Sequence, residues 1–166
     1  MWSLLLLLNV MPSAGYILPN LPVGSPFVLK DFEGIGIPAL YEGKIAFEAP
    51  YSVTRVEIDG ELAYVEFLID PDESTRLAFP QFQEKSPLDF EVMDGMRVLE
   101  GFSKEELVRK LAKGEIHSHK GTAFFEINSF EIYGECDRIC FLVKVESAKE
   151  VESGKDNSQL AHRVGC

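Results

Sequence analysis

Two short spacings in this chain use the side chains that hold metals, His117-x-His119 and Cys136-x-x-x-Cys140. Imidazole and thiolate are the usual zinc ligands, so four such groups in one stretch invite a shared site. Extended backbone argues against it. In a hairpin with Cys136 at the turn, His119 stands near the open end, roughly 35 Å or more away at the rise of a strand. Cys136 and Cys140 lie roughly 13 Å apart in one strand. The His pair alone fares better, because side chains two apart on a strand point the same way and can share a divalent metal with a carboxylate such as Glu115, Asp89 or Glu91. The competing reading makes Ile116 to Gly121 a solvated link with exposed histidines, and it is preferred because imidazole binds metal only where other donors converge.

Lys104, Arg109, Lys110, Lys113 and Lys120 form a basic island, and an anion site would use Arg109, Lys110, Lys113 and Lys120. The same charges suit the negative end of a helix dipole, which is the preferred reading. The net charge of -11 opposes a general nucleic-acid surface, since that affinity comes from Lys and Arg displacing counterions. Asp89 and Glu91 have the spacing of an acid–base pair and equally that of a solvent-facing row. Asp70 to Ser74 resembles a calcium loop only superficially: Thr75 stands where the sixth-position glycine is needed and Gln81 where the twelfth-position glutamate is needed. No nucleophile motif or glycine-rich phosphate loop is present, so an enzyme is less expected than a binding protein.

The elements that would position these groups are mainly β. Ser103 and Glu106 form a capping box. From there to Lys113 the sequence predicts a helix, with Leu107, Val108, Leu111 and Ala112 as its apolar stripe and Gly114 as its stop. Ala123, Phe125 and Ile127 alternate, and Phe130 and Ile132 continue on the other parity, which predicts a bulge at Asn128-Ser129. Ile139 to Val145 forms the return strand. Upstream, Phe27–Phe32, Ile35–Leu40 and Ile45–Ala49 read as short strands, with a turn at Tyr41-Glu42-Gly43 and a stop at Pro50. Asp59-Gly60 and Asp94-Gly95 each predict a type I′ hairpin, the second joining Leu88–Met93 to Met96–Glu100. Across the first hairpin, Val56, Ile58, Ala63, Val65, Phe67 and Ile69 form the core face. Tyr51, Val53, Arg55, Glu57, Leu62, Tyr64, Glu66 and Leu68 form the other, whose mixture suits a half-covered sheet, the preferred reading, or an interface, for which Tyr51 and Tyr64 are the candidate residues.

No charged side chain occurs before Lys30. Trp2, Leu4, Leu6 and Leu8 in residues 1–20 therefore suggest a self-association or partner contact; a start at Met11 and a signal peptide without its positive region are the alternatives. From Lys149 to 166 the composition reads as a disordered tail, leaving residues 21–148 as one β-rich domain. Three cysteines make no disulfide framework, which suggests a reduced, cytoplasmic setting, and the Glu/Lys-rich, Asn/Gln-poor body has the bias of thermophile proteins. The expected fold is an antiparallel barrel or sandwich built from hairpins, with one amphipathic helix at about residues 103–113 packed on it. OB-like barrels also insert a helix between strands, but too many strands precede the helix here for that fold. The leading functional expectation is a non-catalytic binding or interaction module for a protein partner, a small ligand or itself, the ligand unknown, without a membrane span. A metal-dependent enzyme using His117 and His119 is the alternative, and anion or nucleic-acid binding at the basic helix end comes third.

Overall fold

The structure, a computed structural model, describes residues 21–32, 39–81, 89–102, 105–135, 138–152 and 154–158. Its elements are β1 (Phe27–Asp31), β2 (Ala39–Ile58), β3 (Glu61–Ile69), α1 (Glu73–Arg76), β4 (Asp89–Val92), α2 (Gly95–Gly101), α3 (Glu105–Lys113), β5 (Ser118–Glu135), β6 (Arg138–Glu152) and β7 (Asp156–Asn157). The described residues are mainly β, with seven strands in one sheet ordered β1-β2-β3-β4-β6-β5-β7. β2 also pairs with β5, so β2–β3–β4–β6–β5–β2 runs in a circuit from which β1 and β7 extend. The β4–β6 pairing is parallel and every other one is antiparallel. No helix among the described residues is long and apolar enough to cross a membrane.

β5 and β6 form the expected hairpin. The register passes from Ile127↔Val145 to Ser129↔Lys144, leaving Asn128 out of the ladder. The extra residue changes parity, and so Phe125, Ile127, Phe130 and Ile132 are all buried. Phe130 stacks on Tyr41 at 4.7 Å and meets Phe27, Phe79 and Phe141 at 4.8, 5.1 and 5.4 Å. Such aromatic pairs each add about 0.5–1.5 kcal/mol beyond the area they bury.

Upstream the structure corrects the reading in three places. The expected turn at Tyr41-Glu42-Gly43 and stop at Pro50 lie inside the single strand β2. A Cβ at Gly43 would stand 2.7 Å from the Phe27 Cα, so this glycine marks the close approach of β1 rather than a turn. Pro50 is tolerated because the ladder to β3 starts only at Tyr51↔Ile69, and the Pro50 carbonyl accepts from Asp70 N at 2.9 Å. The second correction concerns Asp94-Gly95. Asp94 has the positive φ that the turn predicted, 54°, but Gly95 opens α2, so Met96–Glu100 is helical and not a strand. A Cβ at Gly95 would meet the Phe67 Cβ at 2.6 Å, which shows how tightly this helix end presses on β3.

The third correction decides which side chains reach the core. Asp59 and Gly60 take φ of 55° and 84°, as a type I′ turn requires. Beyond the turn, however, the register passes from Glu57↔Leu62 to Val56↔Tyr64, so Ala63 is an extra residue in β3. That slip pairs Tyr51 with Ile69, Val53 with Phe67 and Arg55 with Val65, turning Tyr51, Val53 and Arg55 inward. Tyr51 and Val53 are accordingly buried, while Ile58, expected in the core, is 62% exposed.

Helix α3 buries Leu107 and Leu111 of the expected stripe, whereas Ser103 of the capping box and Lys104 of the basic island lie outside the described residues. The stretch from Lys149, read as tail, continues β6 to Glu152 and adds β7 against the start of β5. A polar composition does not prevent a strand where a neighbouring ladder supplies backbone partners: His117 N and Lys120 N donate to Asn157 and Lys155 carbonyls at 2.8 and 3.3 Å.

Candidate functional site

The start of β5 is a strand between β2 and β7, with Val53↔His119 on one side and His119↔Asp156 on the other. It is not a solvated link, for Ser118 is 7% and His119 3% exposed. His119 Nδ1 lies 2.7 Å from Asp156 Oδ1, and Asp156 Oδ2 lies 3.5 Å from Lys110 Nζ on α3. The other ring nitrogen, Nε2, is 3.9 Å from Glu150 Oε1, which accepts the Tyr51 hydroxyl at 2.8 Å. A polar row thus crosses β2, β6, β5, β7 and α3, from a phenol in the aromatic core to an ammonium at the surface. Burial, and secondarily the hydrogen bond to Glu150, hold the Tyr51 phenol above its ordinary range. The hydrogen bond with His119 holds the Asp156 carboxyl below its ordinary range, with the charges of His119 and Lys110 assisting.

A second group stands beside this row. The Arg55 side chain, 7% exposed, donates from Nε to Glu57 at 2.6 Å and from one guanidinium NH2 group to the Leu111 and Ala112 carbonyls at 2.6 and 2.7 Å. Those carbonyls belong to the last turn of α3, where helical partners run out and a cation is favoured. His117 Nδ1 lies 3.9 Å from Glu57 Oε1. Arg55 therefore fastens the helix to the sheet.

The two histidines stand beside different carboxylates, Glu57 for His117 and Asp156 and Glu150 for His119, and only His119 Nδ1 with Asp156 is within hydrogen-bond distance. His117 Nδ1 and His119 Nε2 are buried without a hydrogen-bond partner among the described residues. Among the described residues no group of three or more His, Cys, Asp or Glu could hold a metal ion. Cys136 lies outside the described residues and Cys140 is buried. The basic island is interleaved with acids. Arg109 meets Glu115 at 2.7 Å and Glu106 at 4.0 Å, and Lys110 meets Glu106 at 3.6 Å besides Asp156. Arg109, with help from Lys113 and Lys110, holds the exposed Glu115 carboxyl below its ordinary range. Lys120 is exposed on β5.

Of the candidate interface residues, Tyr51 is in the core, with ring centroids 5.2 Å from Phe67 and 5.5 Å from Phe102. Tyr64 is 53% exposed, while Trp2, Leu4, Leu6 and Leu8 lie outside the described residues. Tyr64 sits on the arm formed by Val56–Ile58 and Glu61–Tyr64, which continues past Arg55, the last β2 residue bonded to the β5 side. Sequence reasoning missed Arg55, Asp156 and the Tyr51–Glu150 pair. Gly121 pairs with Tyr51, and a Cβ there would lie 2.8 Å from the Tyr51 ring, a close approach that only the folded pairing reveals.

Comparison with protein-family models, curated proteins and solved structures returns no match.

Proposed function

We propose that the chain is a non-catalytic binding module, a small barrel of the OB type that holds a protein partner on its β2–β3 arm. The strand circuit supports the architecture: first, second, third, fifth and fourth ring strands follow one another back to the first, the third and fifth are parallel, and α2 and α3 fall between the third and fourth. Strands β2 to β6 supply those five, because what reads as several short strands before the helix is largely one long β2. In barrels of this type the loop between the first two strands and the face beside it take ligands.

The observation that carries the binding reading is the exposure of Ile58 and Tyr64 together on that arm, at 62% and 53%. Exposed aromatic and aliphatic side chains grouped beyond the body of a sheet suit an interface anchor. Of the interior polar groups, Arg55 holds α3 and His119 Nδ1 with Asp156 holds β7, while His117 Nδ1 and His119 Nε2 are buried without a hydrogen-bond partner among the described residues. Affinity capture with the full chain, followed by mixing of purified components, tests the reading. A stable complex that is lost when Ile58 and Tyr64 are both replaced by serine is expected. A complex indifferent to that change, or substrate turnover abolished by His119→Gln with the arm intact, would contradict it.

A further inference from the structure

The arm also carries one sign of charge. From Val56 to Glu66 there are four carboxylates, Glu57, Asp59, Glu61 and Glu66, and no Lys or Arg. Registers Thr54↔Glu66, Val56↔Tyr64 and Ile58↔Glu61 set Val56, Ile58 and Tyr64 on one face with Glu61 and Glu66 among them. Asp59 and Glu61 are exposed at the tip. Arg55 at the base faces the other way and is engaged by Glu57 and the carbonyls of α3.

We infer that this face binds an extended Lys/Arg-rich segment of another protein, an inference that rests on the binding-module reading above. Alternating apolar and acidic positions match a strand in which apolar and basic side chains alternate. A guanidinium can stack on the Tyr64 ring while its neighbours pair with Glu61 and Asp59. A nucleic acid would bring phosphates to Asp59 and Glu61 at the tip, and a second copy would bring an identical acidic arm on a chain of net charge -11. Opposite charge on the partner steers its approach and excludes both.

The test is fluorescence anisotropy of labelled decapeptides with the full chain at low and physiological salt: one alternates arginine with leucine, one alternates glutamate with leucine, and a thymidine decanucleotide is the third probe. The arginine peptide is expected to bind at least tenfold more tightly than the other two, and to weaken as salt rises. Asp59→Lys combined with Glu61→Lys should cost the arginine peptide at least tenfold, and Tyr64→Ser should weaken it at both salt concentrations. Glu73→Lys combined with Glu105→Lys makes the same change in net charge on α1 and α3 and should leave binding within about twofold, since distant exposed charges are screened. Equal loss in both charge variants, equal binding of the acidic peptide, or preference for the oligonucleotide overturns the inference. If the arm captures a partner that is not basic, this inference falls while the binding-module reading stands.

Discussion

Replacing Arg55 with Met should uncouple α3 from the sheet at a cost that the geometry sets. Three charge-assisted hydrogen bonds end on one guanidinium, two of them at helix carbonyls. Breaking a buried ion pair by removing one partner costs about 3–5 kcal/mol, whereas an exposed pair is worth about 0–1. The Arg55 side chain is 7% exposed but Glu57 is 25% exposed and can turn to water, which places the expected loss near the lower end, about 3 kcal/mol. Arg55→Lys keeps the charge but not the fork that reaches Glu57 and the carbonyls together, so it should lose about half as much. Urea unfolding followed by far-ultraviolet circular dichroism gives both numbers. A loss below about 1 kcal/mol for Met, with no difference between Met and Lys, would mean that the guanidinium lies in water and that α3 is held by Leu107 and Leu111 alone.

Two further outcomes follow from the same structure. The Asp156 carboxyl titrates below its ordinary range when folded, so its stabilisation is present above the unfolded value of about 3.9 and is lost as pH falls through the lower folded value; Asp156→Asn should therefore flatten the loss of stability below about pH 4 in urea titrations, and an unchanged acid limb would refute the His119 contact. Gly121→Ala should cost about 1–3 kcal/mol, because the new methyl meets the buried Tyr51 ring, whereas Gly60→Ala, with open space but φ of 84°, should cost about 1 kcal/mol and be rescued by Asn. Thermal denaturation separates these, and a Gly121→Ala protein as stable as the wild type would refute the close approach.

Local chemistry was legible wherever one short rule acted without competition. The parity change around Asn128 predicted its bulge, and Asp59-Gly60 predicted its turn, because each depends on neighbours only. Asp94-Gly95 shows the limit: the left-handed aspartate was correct, but the same conformation can precede a helix, and Phe67 beneath Gly95 decides the direction. Ala63 was invisible as a bulge, and one unseen residue reversed the faces of β2, hiding Arg55 and Tyr51 from view as interior groups. Asp156 was lost to composition, since a polar segment that borrows a ladder from β5 looks like a tail when read alone. The polar row around His119 joins positions from five elements, a juxtaposition that no sequence spacing encodes.

The most direct test of the binding-module account is hydrogen–deuterium exchange of the full chain with and without its captured partner, read by mass spectrometry over every peptide. Protection concentrated between Val56 and Glu66, with little change at His117 to Gly121 and at Glu150 to Asn157, is the predicted result. Protection centred on His119, Glu150 and Asp156 with the arm unchanged would contradict the account and move attention to the polar row.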